Sequence, residues 1–420
     1  MERVNIETER QDLFDASIVI AMRFHISGSV TNEQISNAFN KAVRSHEILG
    51  TRVRLDDDNI AYYEKSDIKY FDSNKITFED SNWQDILRRE ERKRFRIEVG
   101  EFIRGFVYSS MNDTAAESSG RGTNVLFMMH HLGGDGKSLV YFIETFMKCL
   151  SGTDSDLLEM RTIPAGDISD EALKDRVGPL AFVPKIFNKK WEKDDKRRTF
   201  SFEDLDIAYE EYWSNRESDI KEYVISPERT AKILAKCKEW NIGFTAYITT
   251  AFLRRMGRKL DIGYAVDARE DGNRSMGNQA TGISIKYAYD YDKSFRQNAE
   301  KVQHLMRKKL EDDGTRNFIL PFMASFEPSL IDAINLEHAG TFTSKTSKKL
   351  ANILGYGKRT KDISITNLTR LDISDTYGSL RIDYFSFIPP VISYGRNIVG
   401  LSTMGDCTVM TLHRVRSEFE

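Results

Sequence analysis

The amino-acid sequence predicts an α/β protein made of two halves that repeat a similar order of strands and helices. Three observations carry this expectation. Apolar residues alternate over short stretches, as at Ile18, Ile20, Met22, Phe24 and Ile26, which is the period of a half-buried strand. Elsewhere they recur at helical spacing, as at Leu139, Phe142, Ile143, Phe146, Met147 and Leu150. A charged block from Lys189 to Asp219 interrupts the pattern, which then starts again.

In chain order, the strand over Ile18 to Ile26 is followed by Thr31-Asn32-Glu33-Gln34, which fits a capping box. The helix it opens carries Ile35, Phe39, Val43 and His46 on one side and stops near Gly50. A second extended segment spans Thr51 to Leu55, and a polar stretch read as looped follows it. Phe102 to Ser109 and Asn124 to His131 are strand-like; Val125 to Met129 is apolar on both faces, as in the middle of a covered sheet. Asp113 to Thr123 between them, rich in Ser, Gly and Ala, reads as a mobile hairpin loop. Lys137 to Leu150 is an amphipathic helix.

The block from Lys189 to Asp219 holds Lys189, Lys190, Lys193, Lys196, Arg197 and Arg198, then Glu203, Asp204, Asp206, Glu210 and Glu211. Charge blocks of this kind are usually solvated, so it reads as an exposed connection. Its functional alternative is a basic cluster that meets a phosphate-bearing donor or an acidic carrier protein. The division is thus 1–180, a charged connection over 181–214, and 215–420. In the second half, Glu222 to Ile225 is a short strand and Pro227 opens a helix with Ile233, Leu234 and Cys237 on its apolar side. Phe244 to Met256 is nearly all apolar and reads as a buried helix. Strands are expected at Ile262 to Val266 and Thr281 to Tyr289, and a long charged helix from Phe295 to about Leu310. Further strands fit Ile363 to Thr366, Ser379 to Phe387, Ile398 to Thr403 and Cys407 to Arg414.

Composition excludes several classes. The 420 residues are 40% apolar and 30% charged, which fits a globular protein of roughly two or three domains. A formal charge of −3, from 61 basic against 64 acidic residues, gives no general attraction to nucleic acid or an anionic membrane. Cys149, Cys237 and Cys407 are far apart with no CxxC spacing, against a disulfide scaffold or a structural zinc site. Met1 to Arg10 lacks the apolar core of a signal peptide, and the apolar runs are too short to span a bilayer. A cytoplasmic, monomeric protein is expected.

Of the seven histidines, His130 and His131 are adjacent at the end of the apolar strand, followed by Gly133-Gly134-Asp135-Gly136 and a helix. A strand end fixes the backbone, glycines let a ligand approach, and free helix N–H groups favour developing negative charge. Adjacent strand residues point to opposite faces, so one ring can act as a base and the other is structural. A near-neutral imidazole suits activation of a hydroxyl or amine. A metal site of His130, His131 and Asp135 is disfavoured, because the rings diverge and no third histidine is near in sequence.

The segment His130-His131-Leu132-Gly133-Gly134-Asp135-Gly136 resembles the HHxxxDG signature of nonribosomal peptide synthetase condensation domains. These belong to the chloramphenicol acetyltransferase-like superfamily, with plant BAHD, fungal alcohol and mycobacterial polyketide-associated acyltransferases. Further segments agree: Ala42 to Leu49 resembles the first helix ending near "RHPxLR", and Val266-Asp267-Ala268-Arg269 the "vDxR" strand. Gly277-Asn278 matches the "GN" that follows, and Thr366 to Asp372 the late "SNLGxxD" segment. The plant "DFGWG" motif is absent; Ile388-Pro389-Pro390 and Ser393-Tyr394-Gly395 stand in a comparable region. Thr369 occupies the usual glycine position and Thr366 the usual serine.

The resemblance implies two acetyltransferase-like subdomains, each a mixed sheet plus helices, in a V-shaped pseudo-dimer with a central tunnel. It implies an O- or N-acyltransferase with no bound cofactor. The donor is an acyl thioester on coenzyme A or on the phosphopantetheine of a carrier protein, and the acceptor a small alcohol or amine. His131 is then the catalytic base, with His130 structural. Asp135 pairs with Arg269 to hold the motif, Gly136 lies close to the developing oxyanion, and Asn367 lies in the tunnel wall. The alternatives are a non-catalytic relative that binds a carrier protein or partner, and a hydrolase or epimerising relative using the same histidine.

Overall fold

The computed structural model describes residues 3–65, 70–109, 122–270, 272–312, 318–356, 360–393, 395 and 397–417. Its larger core is built on a six-stranded sheet. In spatial order the strands are Thr376–Tyr377, Leu380–Ile388, Val19–Ser27, Gly122–His130, Ile103–Tyr108 and Lys75–Glu79. Neighbours are antiparallel except the last pair, which is parallel. Helices Asn32–Arg44 and Gly136–Leu150 cover one face with Phe39, Phe142 and Phe146, whose rings pack edge-on or tilted around Phe127. The Thr31 and Gln34 capping box that starts the first of these helices is formed.

The second sheet also has six strands: Ala280–Tyr287, Leu260–Asp267, Ile363–Arg370, Asn397–Met404, Cys407–Ser417 and Arg216–Ile225. It is mixed, with Ile363–Arg370 parallel to both of its neighbours. Helices Pro227–Glu239, Phe244–Met256 and Phe295–Glu311 supply Ile233, Ala246, Leu253, Ala299 and Val302 to its core. A small sheet pairs Arg3–Asn5, Ala61–Lys65 and Thr51–Leu55.

Several local expectations are corrected by tertiary packing. The stretch after Leu55 read as looped contains strands Ala61–Lys65 and Lys75–Glu79 and helix Trp83–Glu91. Val19–Ser27 is covered on both faces, not one. Its polar positions are satisfied inside: Arg23 pairs with Glu222 and lies between the rings of Trp83 and Tyr384, and His25 meets Asp383. Phe244–Met256 buries one side only, with Arg254, Arg255 and Met256 exposed. The block read as an exposed connection forms helices Phe182–Trp191 and Phe202–Ser214. Its charges face out while Phe187, Trp191, Leu205, Tyr209 and Trp213 are buried in the first core. Helices Pro328–Ala339 and Lys345–Leu354 join that same core, as does strand Leu380–Ile388, so parts of the 215–420 stretch complete the first half. The hairpin loop expected over Asp113 to Thr123 lies, through residue 121, outside the described residues, as does Tyr394.

Candidate active site

The strand Gly122–His130 delivers the double-histidine turn to the boundary between the two halves. The His130 backbone N–H donates to Phe102 and that of His131 to Ile18, so neighbouring segments hold both residues. His131 stands one residue past the strand, opening a short 3-10 turn over His131–Gly133. His130 turns into the core, where its Nδ1 accepts the Leu132 N–H at 3.1 Å and its ring meets the edge of Phe95. Burial first, and the charges around it, push His130 down to about 3, so it is a neutral structural ring.

His131 faces the other way, and its side chain keeps 14% of its surface. Its Nδ1 is buried without a hydrogen-bond partner, 3.8 Å from an Asp12 carboxylate oxygen. Burial pushes the ring below the ordinary imidazole range, against the pull of Asp135, its own carbonyl and Asp15. It is therefore neutral near pH 7, the form that can accept a proton.

Asp135 is the N-cap of helix Gly136–Leu150, accepting the Ser138 N–H at 2.9 Å. Its other oxygen takes the Gln279 N–H at 2.9 Å, and both oxygens meet Arg269, at 2.7 and 3.0 Å. Burial alone would raise this carboxyl, but the Arg269 charge and these hydrogen bonds hold it below the usual range. Arg269 also reaches Ser138 Oγ at 2.8 Å, Gly277 carbonyl at 3.2 Å and Asp267 at 3.1 Å. Ser138 Oγ in turn donates to the Gly277 carbonyl at 2.9 Å. Gly277 has φ +141°, and a Cβ there would sit 2.0 Å from the Arg161 carbonyl oxygen. The motif loop is thus locked to the second half through one buried cation.

Gly136 lies where a Cβ would come within 3.0 Å of Leu368 and 3.3 Å of Phe387. Asn367 is half-buried; its amide donates to Thr245 Oγ at 2.8 Å and its carbonyl oxygen takes the Thr369 N–H at 2.7 Å. Thr369 has φ 59°, a left-handed conformation, which accounts for the glycine usual there in the resembled segment. The structure therefore brings His131, Asp135, Gly136 and Arg269 to one boundary and ties Asn367 to Thr245 on helix Phe244–Met256.

Acidic residues that sequence reasoning missed gather near the motif, with Asp12 next to His131. Glu9, Asp12 and Asp15 are buried on the segment preceding the first core strand, and Asn278 donates to Asp12 at 2.7 Å. Burial, then Asp15, raises Asp12 to about 7; burial, then Asp12, raises Glu9 well above its usual value. Nothing in their spacing marks them, although Asn278 belongs to the recognised Gly-Asn pair. Among the described residues no group of three or more His, Cys, Asp and Glu could hold a metal ion.

No protein-family model matches the sequence, and no curated protein matches it significantly. Solved structures do match. The first condensation domain of the CDA synthetase is 13% identical, with a TM-score of 0.61 over 97% of this chain and 87% of that one. Polyketide synthase associated protein 5 from Mycobacterium tuberculosis is 11% identical, with a TM-score of 0.59 over 99% and 95%. The epimerization domain from the third module of tyrocidine synthetase B is 12% identical, with a TM-score of 0.54 over 96% and 86%. The two six-stranded sheets with their helices form the pseudo-dimer of the chloramphenicol acetyltransferase-like fold. At these identities the likeness is one of fold, and the fold is shared with condensation domains.

Proposed function

We propose that this protein is an acyltransferase that moves an acyl group from a thioester to a hydroxyl or amine, with His131 as general base. The observation that carries the reading is a neutral, partly accessible imidazole on a turn locked between two halves of a condensation-domain fold. In the reaction, Nε2 of His131 takes the proton of the acceptor O–H or N–H as that atom attacks the thioester carbonyl. The tetrahedral intermediate collapses with cleavage of the C–S bond, and the imidazolium returns the proton to the departing thiolate. The N–H groups at the start of helix Gly136–Leu150 favour the oxyanion that forms on the way. A tunnel between the halves would admit the donor, on coenzyme A or a carrier protein, from one side and the acceptor from the other. Asn367 would contribute to its wall.

The test is a mass-spectrometric screen of acyl-CoA and acyl-carrier donors against pooled alcohols and amines, followed by His131→Ala with the active pair. Loss of the base should lower transfer roughly 10²–10⁴-fold with the fold intact; an unchanged rate discards the assignment. The epimerization domain among the structural neighbours favours one second reading. In it, His131 removes a carbon-bound proton from a thioester substrate. Deuterium uptake from solvent into that substrate, without acyl transfer, would select it.

A further inference from the structure

Asp12 is the one carboxylate within 4 Å of a His131 ring nitrogen among the described residues, with Oδ2 at 3.8 Å from Nδ1. It is firmly held. The amide of Asn278 donates to that same Oδ2 at 2.7 Å, and the Asn278 oxygen accepts the Ala280 N–H at 3.2 Å, which fixes the amide's orientation. The segment carrying Asp12 is clamped from helix Pro328–Ala339, where Asp332 takes a bidentate pair from buried Arg10 and Asn335 donates to the Gln11 carbonyl at 2.7 Å. The titratable groups around Asp12 are Glu9 and Asp15 on its own segment, His131 on the motif turn and Tyr63 on strand Ala61–Lys65. Asp135 stands further off beside Glu9, and its charge is committed to Arg269. The buried Asp12 oxygen thus stands beside an imidazole nitrogen that makes no well-formed hydrogen bond, with the ring's own carbonyl as the competing acceptor.

We propose that Asp12 is a positioning residue for His131. Its carboxylate takes the Nδ1–H of the ring, which leaves the Nε2 lone pair for the acceptor, and it stabilises the imidazolium once the acceptor proton arrives. This rests on His131 being the base. No proton leaves Nδ1 during the step: one proton moves from the acceptor to Nε2 and later to the thiolate. The 3.8 Å separation is longer than a hydrogen bond, and contacts of this kind tighten when substrate is bound. The two groups then titrate as a coupled pair, and the competent base is the pair with its shared proton removed.

The full chain labelled with ¹⁵N-histidine tests this directly, with His131→Asn used to assign the signal. At pH 8 the wild-type ring is expected as the Nδ1–H tautomer. Asp12→Asn keeps an acceptor but loses the charge, so the His131 midpoint should fall by about one unit or more, a tenfold change in its proton affinity. Asp12→Leu should also lose the tautomer preference and lower transfer roughly 10²–10⁴-fold. Asp12→Asn should melt at a higher temperature than wild type, because a desolvated carboxyl has been removed; a purely structural Asp12 would melt lower. A wild-type ring that is Nε2–H at pH 8, or a midpoint unmoved by Asp12→Asn, overturns the proposal. A wild-type protein that shows these signals and transfers no acyl group overturns the acyltransferase reading alone.

Discussion

Arg269 meets both oxygens of Asp135, at 2.7 and 3.0 Å, across 134 residues of chain. Both side chains are almost fully buried, at 2% and 6% exposure. The pair joins the motif turn of the first half to the strand end of the second. Removing one partner leaves an uncompensated buried charge. Arg269→Met should therefore cost roughly 3–5 kcal/mol in denaturant unfolding, and Asp135→Asn in the same background should recover part of it. If the single substitution costs under about 1 kcal/mol, this pair does not hold the halves together.

Gly277 provides a sharper test of the same boundary. Its left-handed φ and the Arg161 carbonyl, 2.0 Å from any added Cβ, mean that backbone must move. Gly277→Ala should destabilise by at least about 2 kcal/mol and impair any activity, because its carbonyl and N–H both bond Ser138. Gly272, with φ +79° and open space around it, is the control. Its alanine variant carries only the left-handed cost, about 1–2 kcal/mol, and should leave activity unaffected.

His46 tests the pH response of the first core. Its Nδ1–H donates to the Ala42 carbonyl at 2.6 Å, while Nε2 is buried with no partner against the Phe142 ring. Burial lowers its pKa from 6.5 to about 4. The unfolded chain thus binds the proton first, and stability falls as pH drops below 6.5 toward 4. His46→Leu removes this contribution. Its stability relative to wild type should be more favourable at pH 5 than at pH 7.5, by about 2 kcal/mol. The same difference at both pH values would show that the ring is not buried neutral.

Thr369 is a β-branched residue in a left-handed conformation, φ 59°. Its hydroxyl bonds the Leu368 carbonyl at 2.6 Å, which offsets little of the steric cost. Thr369→Gly should raise stability by about 0.5–1 kcal/mol, read as a higher denaturation midpoint. A lower midpoint would mean that the hydroxyl matters more than the backbone strain.

Much of the site was legible because it is local in the chain. The strand into His130, the turn and the Asp135-capped helix follow from apolar patterning and glycine placement. Arg269 was legible only through resemblance, since no spacing rule links it to Asp135. Arg23 and Asp12 are buried charges that no local pattern in the sequence marks. For both, the partners that make burial tolerable come from distant segments: Glu222, Trp83 and Tyr384 around Arg23, and Asn278 on Asp12. The charged stretch from Lys189 was misread because its apolar residues, diluted by charge, reveal a buried side only once a core exists to receive them.

Taken alone, the residues determined where many of the strands and helices form, how Thr31 and Gln34 cap one of them, and that two histidines end a buried strand. Period and capping depend on neighbours within a few positions, so they can be read along the chain. Tertiary structure decided that strand Leu380–Ile388 completes the first sheet and that Asp12 comes within 3.8 Å of the His131 ring. A sheet edge and a buried carboxylate take whatever partner packing brings to them, and that choice is made in space.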